Sequence, residues 1–237
     1  METDTLPFPL FEQLEAFRRV LIKILLCAVV IFPVAFYFAP EVFELMVKHG
    51  CPPGFSLKYF SPFEPLIVRI KTAAVMTVFA GMPYMAWQLW GFVAPGLYRD
   101  EKTFLGALCL GSWAMFILGG ALAFRFILPL MMDFSLSMSS DTLKPVIGFQ
   151  AFAGLSGILI AGTGIMAQCP MVVFLLIKSG VVGLDSLRRQ RPVVVIVILI
   201  LSALITPPDV ISQLMLAVPA YILFELCLLF ADFKIIK

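Results

Sequence analysis

Charged residues are scarce in this chain of 237 residues, where Asp, Glu, Lys and Arg make up only 14%. Soluble domains carry about 25% charged residues, because a surface in water needs them. A hydrophobic content of 61% and a mean hydropathy of +1.02 point the same way. A bilayer removes the need for charge, since lipid-facing side chains can be apolar all round a helix. The composition therefore predicts an integral membrane protein, and the net charge of +2 suggests no nucleic-acid partner.

Residues for catalysis and metal binding are also few. The single histidine, His49, excludes a haem with two histidine ligands, and none of the five cysteines forms a C-x-x-C pair. No Walker motif, H-E-x-x-H motif or pair of carboxylates within a span occurs. Gly154-Leu155-Ser156-Gly157 has the spacing of an intramembrane serine protease, but that chemistry needs a base beside the serine. Small residues that let helices approach closely are the better interpretation, and we expect no enzyme, metal or cofactor.

The cysteines and the amino terminus carry little further signal. Four cysteines fall in apolar stretches and only Cys51 falls in a long loop, so all five are expected to be free. The first 17 residues contain acids but no basic residue, which argues against a cleavable signal peptide.

Apolar stretches set the fold class, because a helix needs about 20 apolar residues to cross the hydrocarbon core. Six stretches meet or approach this length: Val20–Ala39, Thr72–Ala94, Phe104–Leu130, Ala151–Ile177, Val193–Thr206 and Val210–Ala231. A loop is expected from Pro40 to about Arg69. The fifth stretch would form about 21 Å of helix against a core of about 30 Å. The sequence predicts one all-α membrane domain over residues 1–237, with six transmembrane helices of which the last two are short.

Basic residues predict the orientation. Assigning alternate loops to alternate sides places 11 Lys and Arg residues on the side of the termini and 5 on the other, with Arg125 left inside a span. The first group is Arg18, Arg19, Lys23, Arg99, Lys102, Lys178, Arg188, Arg189, Arg191, Lys234 and Lys237. The second is Lys48, Lys58, Arg69, Lys71 and Lys144. The positive-inside rule then predicts that both termini are cytoplasmic.

Polar side chains inside apolar spans are costly unless they have a partner, and they often mark function. Gln168 lies mid-span, where a helix–helix hydrogen bond would explain it equally well. Glu225 lies close enough to the end of the last span to stay hydrated. Arg125 is expected to extend towards the headgroups. Trp87, Trp90 and Tyr98 cluster at one end of the second span and are interpreted as an interfacial aromatic belt.

Several motifs occur in a fixed order along almost the whole chain. They are Ser61-Pro62-Phe63-Glu64 with Lys71; Trp87-Gln88-Leu89-Trp90-Gly91-Phe92-Val93-Ala94-Pro95-Gly96-Leu97-Tyr98 with Glu101; Leu187-Arg188-Arg189-Gln190-Arg191-Pro192; Thr206-Pro207-Pro208-Asp209 with Ser212-Gln213; Ala217-Val218-Pro219; and Leu223-Phe224-Glu225. Each motif is weak alone, but the ordered set from Pro9 to Phe230 resembles the C subunit family (TatC) of the twin-arginine protein translocase.

The chain departs from that family's pattern at two places. The family's amino-terminal motif is roughly H-L-x-E-L-R-x-R, whereas here Ala16 occupies the acidic position and Val20 replaces the second arginine. Glu15 is displaced by one residue, about 100° around a helix, and Glu12 lies one turn before Ala16 if the helix extends that far. Gln168 stands where some members carry glutamate, which argues against an ionised carboxylate at that depth.

The resemblance implies a core translocase subunit that binds twin-arginine signal peptides and supports proton-motive-force-driven transport of folded proteins across the inner membrane. The implied signal-peptide residues are Glu101, Glu15, Glu12, Arg18, Gln168, Phe92, Pro95, Leu97 and Tyr98. Residues implied in structure or partner contact are Pro62, Glu64, Asp209, Gln213 and Glu225. The implied partners are the single-span subunits TatA and TatB, packed along the fifth helix, within an oligomeric complex in lipid.

Two other classes of function stay open on the residues alone. A solute or ion transporter could use Gln168 and Glu225 along its pathway, and solute uptake by reconstituted vesicles would support it. A purely structural membrane subunit would neither transport solutes nor bind a twin-arginine peptide.

Overall fold

A computed structural model describes residues 8–52, 57–93, 102–138, 146–178, 189–205 and 210–235, and nearly all of this backbone is helical. The helices are α1 (Phe8–Gly50), α2 (Glu64–Val93), α3 (Lys102–Leu122), α4 (Leu128–Ser137), α5 (Phe149–Met166), α6 (Cys169–Lys178), α7 (Arg191–Ile205) and α8 (Val210–Ile235). A π-helical turn, Ala123–Ile127, joins α3 to α4. These elements make six helical segments, because α3 continues into α4 and α5 and α6 follow one another closely.

Four of the six segments are long and apolar enough to cross a membrane: Gln13–Gly50, Glu64–Phe92, Leu105–Ser137 and Phe149–Ile177. The last two contain shorter apolar helices, Arg191–Leu204 and Gln213–Leu226, within the described side chains. The helical backbone of α8 nevertheless runs for 26 residues, through Pro219. The predicted fold class of six helices is confirmed.

The predicted loop after Ala39 is wrong, because α1 continues for 43 residues through Pro33 and Pro40 to Gly50. Proline lacks an N–H, so Pro40 leaves the carbonyl of Phe36 without its donor four residues on. The side chain of Arg69 replaces that donor, with Nε 2.9 Å from the Phe36 oxygen. The same guanidinium lies 4.4 Å from the centre of the Phe36 ring. A donor 33 residues away in sequence thus completes the hydrogen bonding of the helix at Pro40.

The last two turns of α1 therefore reach the main core instead of forming a loop. Phe43 packs edge-on against Phe149 and Phe152, with ring centroids 4.7 and 5.9 Å away. Phe43 and Met46 join a buried cluster with residues of α2, α4, α5, α7 and α8. This cluster spans the half of the bundle opposite the amino terminus and continues to its middle.

The third and fourth segments differ from plain helices in ways that hydropathy alone does not show. Arg125 lies in the π-helical turn, where its Nη1 is 3.3 Å from Nε2 of His49, so it has a protein neighbour as well as exposure. The helix of the fourth segment is interrupted between Met166 and Cys169, next to Gln168 and Pro170.

Small residues bring the helices into close contact. A Cβ atom on Gly119 of α3 would lie only 2.6 Å from the carbonyl oxygen of Thr163 in α5, so glycine is required there. Ser156 is fully buried and donates its hydroxyl hydrogen to the carbonyl of Phe152, 2.7 Å away in its own helix. A Cβ on Gly157 would lie 3.1 Å from Val75, which agrees with the packing interpretation of this motif.

The turn before α2 is held by the acid of its Ser-Pro-x-Glu motif. Oε1 of Glu64 accepts a hydrogen bond from the Phe60 N–H at 3.2 Å, and Oγ of Ser61 is 3.4 Å from the Phe63 nitrogen. Glu64 is buried, and its second oxygen has no hydrogen-bond partner within the described part of the chain. An acid in the first turn also suits the positive end of the helix dipole. Exposed Pro62 precedes the helix, where a fixed φ costs nothing.

Topology can be tested at Cys51, which follows α1 and is predicted to lie outside the cytoplasm. An impermeant maleimide added to intact cells should label Cys51, and Cys51→Ala should abolish that signal. Partial burial raises the pKa of the Cys51 thiol, so labelling should be slow at neutral pH and accelerate about tenfold per pH unit below that pKa. Single cysteines at Ser139 and Ser186 should label from opposite sides; labelling of both from one side contradicts six spans.

The contact between Arg69 and Phe36 makes a second prediction. Arg69→Met leaves the Phe36 carbonyl without its donor and should reduce the free energy of unfolding by about 1.5–3 kcal/mol, measured in detergent. Pro40→Ala restores a backbone N–H at position 40, so Arg69→Met should cost clearly less in that background. Arg125→Met, at an exposed arginine, is the control. Additive effects of the Arg69 and Pro40 changes would contradict this account.

Candidate functional site

The start of α1 and the end of α2 meet at one end of the bundle, called here the amino-terminal end. The rings of Phe17 and Phe92 lie 5.7 Å apart at this contact. On the same part of α1, Val20 is buried and Ala16 is half-buried, whereas the residues around them are exposed. One face of α1 therefore turns towards the bundle here, and it includes positions 16 and 20.

The charged residues on α1 are distributed unevenly around this face. Glu15 and Arg19 form an ion pair of 3.6 Å, and their side chains are more than 70% exposed, at 73% and 72%. Such pairs contribute little to stability in water. Arg18 is exposed as well. Because α1 is helical from Phe8, position 12 lies one turn before Ala16, on the face that turns towards the bundle.

Several predicted site residues lie outside the described residues. They are Glu101, Pro95, Leu97 and Tyr98 between α2 and α3, and Asp209 between α7 and α8; of Glu12 only the backbone is described. Phe92 is therefore the last described residue of its motif with a described side chain. The connection nevertheless has two described ends, because α2 ends at Val93 and α3 begins at Lys102.

Gln168 lies at the break in the fourth segment and reaches across to α3. Its Nε2 donates to the backbone carbonyl of Ser112 at 2.9 Å. Its Oε1 is buried and accepts no hydrogen bond from the described residues. The hydroxyl of Ser112 accepts a bond of 2.6 Å from Nε1 of Trp90. The indole N–H of Trp90 thus has a partner inside the bundle, whereas the Trp87 ring is half exposed. The interfacial aromatic belt stays a prediction.

A second polar cluster joins α7 to α8. Nη2 of Arg191 lies 3.0 Å from Oε2 of Glu225, and the hydroxyl of Tyr221 donates to Oε1 of the same carboxylate at 2.7 Å. Further along, Nε2 of Gln213 donates to the carbonyl of Leu199 at 2.9 Å. Glu225 and Gln213 thus hold the last two helices together.

The two polar residues of the transporter alternative have different hydrogen-bond partners. Gln168 is bonded to α3 near Trp90, whereas Glu225 is bonded to Arg191 on α7. Within the described chain, no three His, Cys, Asp or Glu side chains are grouped so that they could hold a metal ion. Sequence reasoning missed Ser112 and Arg191 as partners. The opposite charges of Arg191 and Glu225, each near the end of an apolar span, could have indicated their pairing. A serine among apolar residues, such as Ser112, gives no comparable indication.

The fold and these contacts define a polytopic helical membrane protein with a short α7 and a polar amino-terminal end. The family model described as "Sec-independent protein translocase protein (TatC)" matches residues 12–219. The chain therefore belongs to the TatC family of protein translocase components.

Relatives and solved structures agree with this assignment. The chain is 31% identical to the TatC protein of Azotobacter chroococcum over 225 residues, covering 94% of this chain and 88% of that protein. It is 28% identical to the Haemophilus influenzae TatC protein over 228 residues, covering 95% and 89%. A crystal structure of the twin-arginine translocase receptor TatC superposes with a TM-score of 0.84 at 29% identity, covering 92% of this chain and 98% of that one.

Proposed function

We propose that this chain is the signal-peptide receptor of a twin-arginine translocase in the inner membrane. It binds the paired arginines of a precursor at its cytoplasmic surface and supports the transport of the folded protein, driven by the proton-motive force. Family membership over residues 12–219 carries this proposal, because the same family includes the similar receptor structure. The transporter alternative has no such support, since Gln168 and Glu225 lie in separate contacts.

The proposed binding site lies at the amino-terminal end, between the start of α1 and the connection from α2 to α3. Glu101 belongs to that connection, and Phe92 stands at its entrance against Phe17. Arginine suits a pair of carboxylates, since its planar fork makes two parallel hydrogen bonds that lysine cannot reproduce. Phe92, Pro95, Leu97 and Tyr98 would supply the apolar surface for the signal peptide, with Arg18 and Gln168 at its margins.

Of the two acids on α1, Glu12 is the better candidate to join Glu101. Position 12 shares the bundle-facing side of α1 with Ala16 and Val20. Glu15 lies about 100° away from Ala16, is exposed and already pairs with Arg19. Glu12 therefore replaces the acid that the family pattern places at position 16.

The proposed partners TatA and TatB pack along α7. This helix has 15 residues, about 22 Å, so it falls short of a hydrocarbon core of about 30 Å. A short span favours neighbours that relieve the mismatch. One side of α7 is exposed and apolar along its length, at Val193, Ile196, Val197, Ile200, Leu201 and Leu204. Its other side is occupied, because Ile198 is buried and Leu199 packs on the core.

The binding site makes a direct prediction. Glu101→Gln should weaken binding of a twin-arginine peptide about tenfold, since one charged hydrogen bond contributes roughly 1.5–3 kcal/mol and a site at the membrane surface, where water screens charge, favours the lower figure. Export should fall while the protein still inserts and accumulates. Glu12→Gln should have a similar effect, and Glu15→Gln, the matched control, a smaller one. Unchanged affinity of Glu101→Gln at both low and physiological salt would rule out this site.

The partner face is tested by cross-linking. Single cysteines at Ile196 or Ile200, which are exposed, should cross-link to a cysteine in the span of TatB or TatA. A cysteine at Ile198, on the buried side of the same helix, is the matched control and should give little product. Links that form at Ile198 as readily, or only on α1 or α3, would place the partners elsewhere.

A further inference from the structure

Ser112 is a polar side chain in an apolar helix, and two neighbouring segments bond to it. The residue is completely buried. Its hydroxyl accepts the indole N–H of Trp90 from α2, and its carbonyl accepts the amide N–H of Gln168 from the break in the fourth segment. Three of the six segments are thus joined at a single residue. A buried polar group with good partners is costly to disturb, because its loss strands the donors in a region without water.

Trp90 is also the main anchor of the last turns of α2. Its ring packs against buried Leu108 and Leu175, together with Met171 and Phe174. By contrast, a methyl group placed on the neighbouring Gly91 would meet nothing within 4 Å outside its own helix. The same holds for Gly106 near the start of α3. Among the described residues, the end of α2 is therefore fixed by Trp90 and by the contact of Phe92 with Phe17.

We propose that Trp90 and Ser112 are positioning residues for signal-peptide binding. Their hydrogen bond fixes the end of α2 against α3, and this end sets the start of the connection that carries Pro95, Leu97 and Glu101. Gln168 holds the Ser112 backbone from the opposite side. This inference rests on the proposed receptor function, because it assigns Trp90 and Ser112 to holding the end of α2 and not to binding the peptide themselves.

The positioning role of Trp90 depends on the direction of its hydrogen bond more than on the apolar contacts of its ring. Trp90 lies in the last turn of α2, which ends at Val93, so a rotation of this turn changes the direction in which the chain leaves the helix. A hydrogen bond is directional, whereas the apolar contacts of an indole and a phenyl ring allow small rotations. Replacing Trp90 by Phe keeps most of the ring contacts and removes only the donor. Replacing Ser112 by Ala removes the acceptor and leaves the backbone carbonyl available to Gln168.

The test measures peptide affinity and backbone exchange on the full chain in nanodiscs. Trp90→Phe and Ser112→Ala should each weaken binding of a twin-arginine peptide about three- to tenfold, as expected for one hydrogen bond. The double variant should be no weaker than the single variants, because both remove the same bond. Amide hydrogen exchange over residues 86–101 should become faster in all three, while exchange in α5 stays unchanged.

Two matched controls separate this role from general destabilisation. Trp87→Phe makes the same change three residues earlier, at a half-exposed ring. Ser156→Ala removes another buried hydroxyl, whose bond stays within its own helix. Both should retain the parent's affinity and exchange.

Two results would overturn the inference. One is a lower melting temperature of Trp90→Phe or Ser112→Ala with affinity and exchange unchanged. The other is additive losses of affinity in the double variant. Failure of the parent to prefer a twin-arginine peptide over its twin-lysine form would instead contradict the proposed function, and the exchange data would still decide whether these residues hold the end of α2.

Discussion

A backbone carbonyl inside a membrane must find a donor in the protein, because the surrounding hydrocarbon offers none. Pro40 removes the backbone donor of the Phe36 carbonyl, and Arg69 of the next helix donates a hydrogen bond to that carbonyl instead. With this hydrogen bond α1 remains helical past Pro40, and Phe43 and Met46 therefore lie in the main core. It also fixes α1 to α2, where Ala35, Ala39 and Ala73 already allow close contact. In the half of the bundle away from the amino terminus, this charged contact therefore adds to the apolar packing that joins α1 to its neighbours.

Two further side chains bond to carbonyls of neighbouring helices in the same manner. Gln168 reaches the Ser112 carbonyl, and Gln213 reaches that of Leu199. These carbonyls have no proline four residues on, so the amides use a spare lone pair. Apolar packing between helices gains little against lipid tails, which are themselves apolar, and directional bonds of this kind therefore help to determine which helices are neighbours.

The number of helices and their membrane-spanning character could be predicted from hydropathy, because each apolar stretch is recognised from its own residues alone. The continuation of α1 to Gly50 could not, because Pro40 and the polar residues after it are typical of a loop, and no local pattern indicates that Arg69 donates to the Phe36 carbonyl. The bond between Trp90 and Ser112 could not be predicted for a similar reason, because the position of Trp90 in the sequence is the same whether its N–H donates to water or to Ser112. For the binding site, the acidic residues could be proposed from the family pattern. The proposed preference for Glu12 over Glu15 rests on the burial of Val20 and the half-burial of Ala16, which the sequence does not show.

The two ends of the bundle are built differently, and the difference suits a receptor. At the end opposite the amino terminus, Lys58 pairs with Gly148 through a short β-bridge, and aromatic rings fill the space between α1 and α5. Within the most apolar stretch of α1 only 11% of residues are buried, against 56% in Phe149–Ile177. A peptide that binds beside the start of α1 would thus displace lipid or water and leave the buried core intact. The binding free energy of the peptide is then not reduced by the cost of disrupting the core. Such an arrangement suits a receptor that binds and releases its ligands.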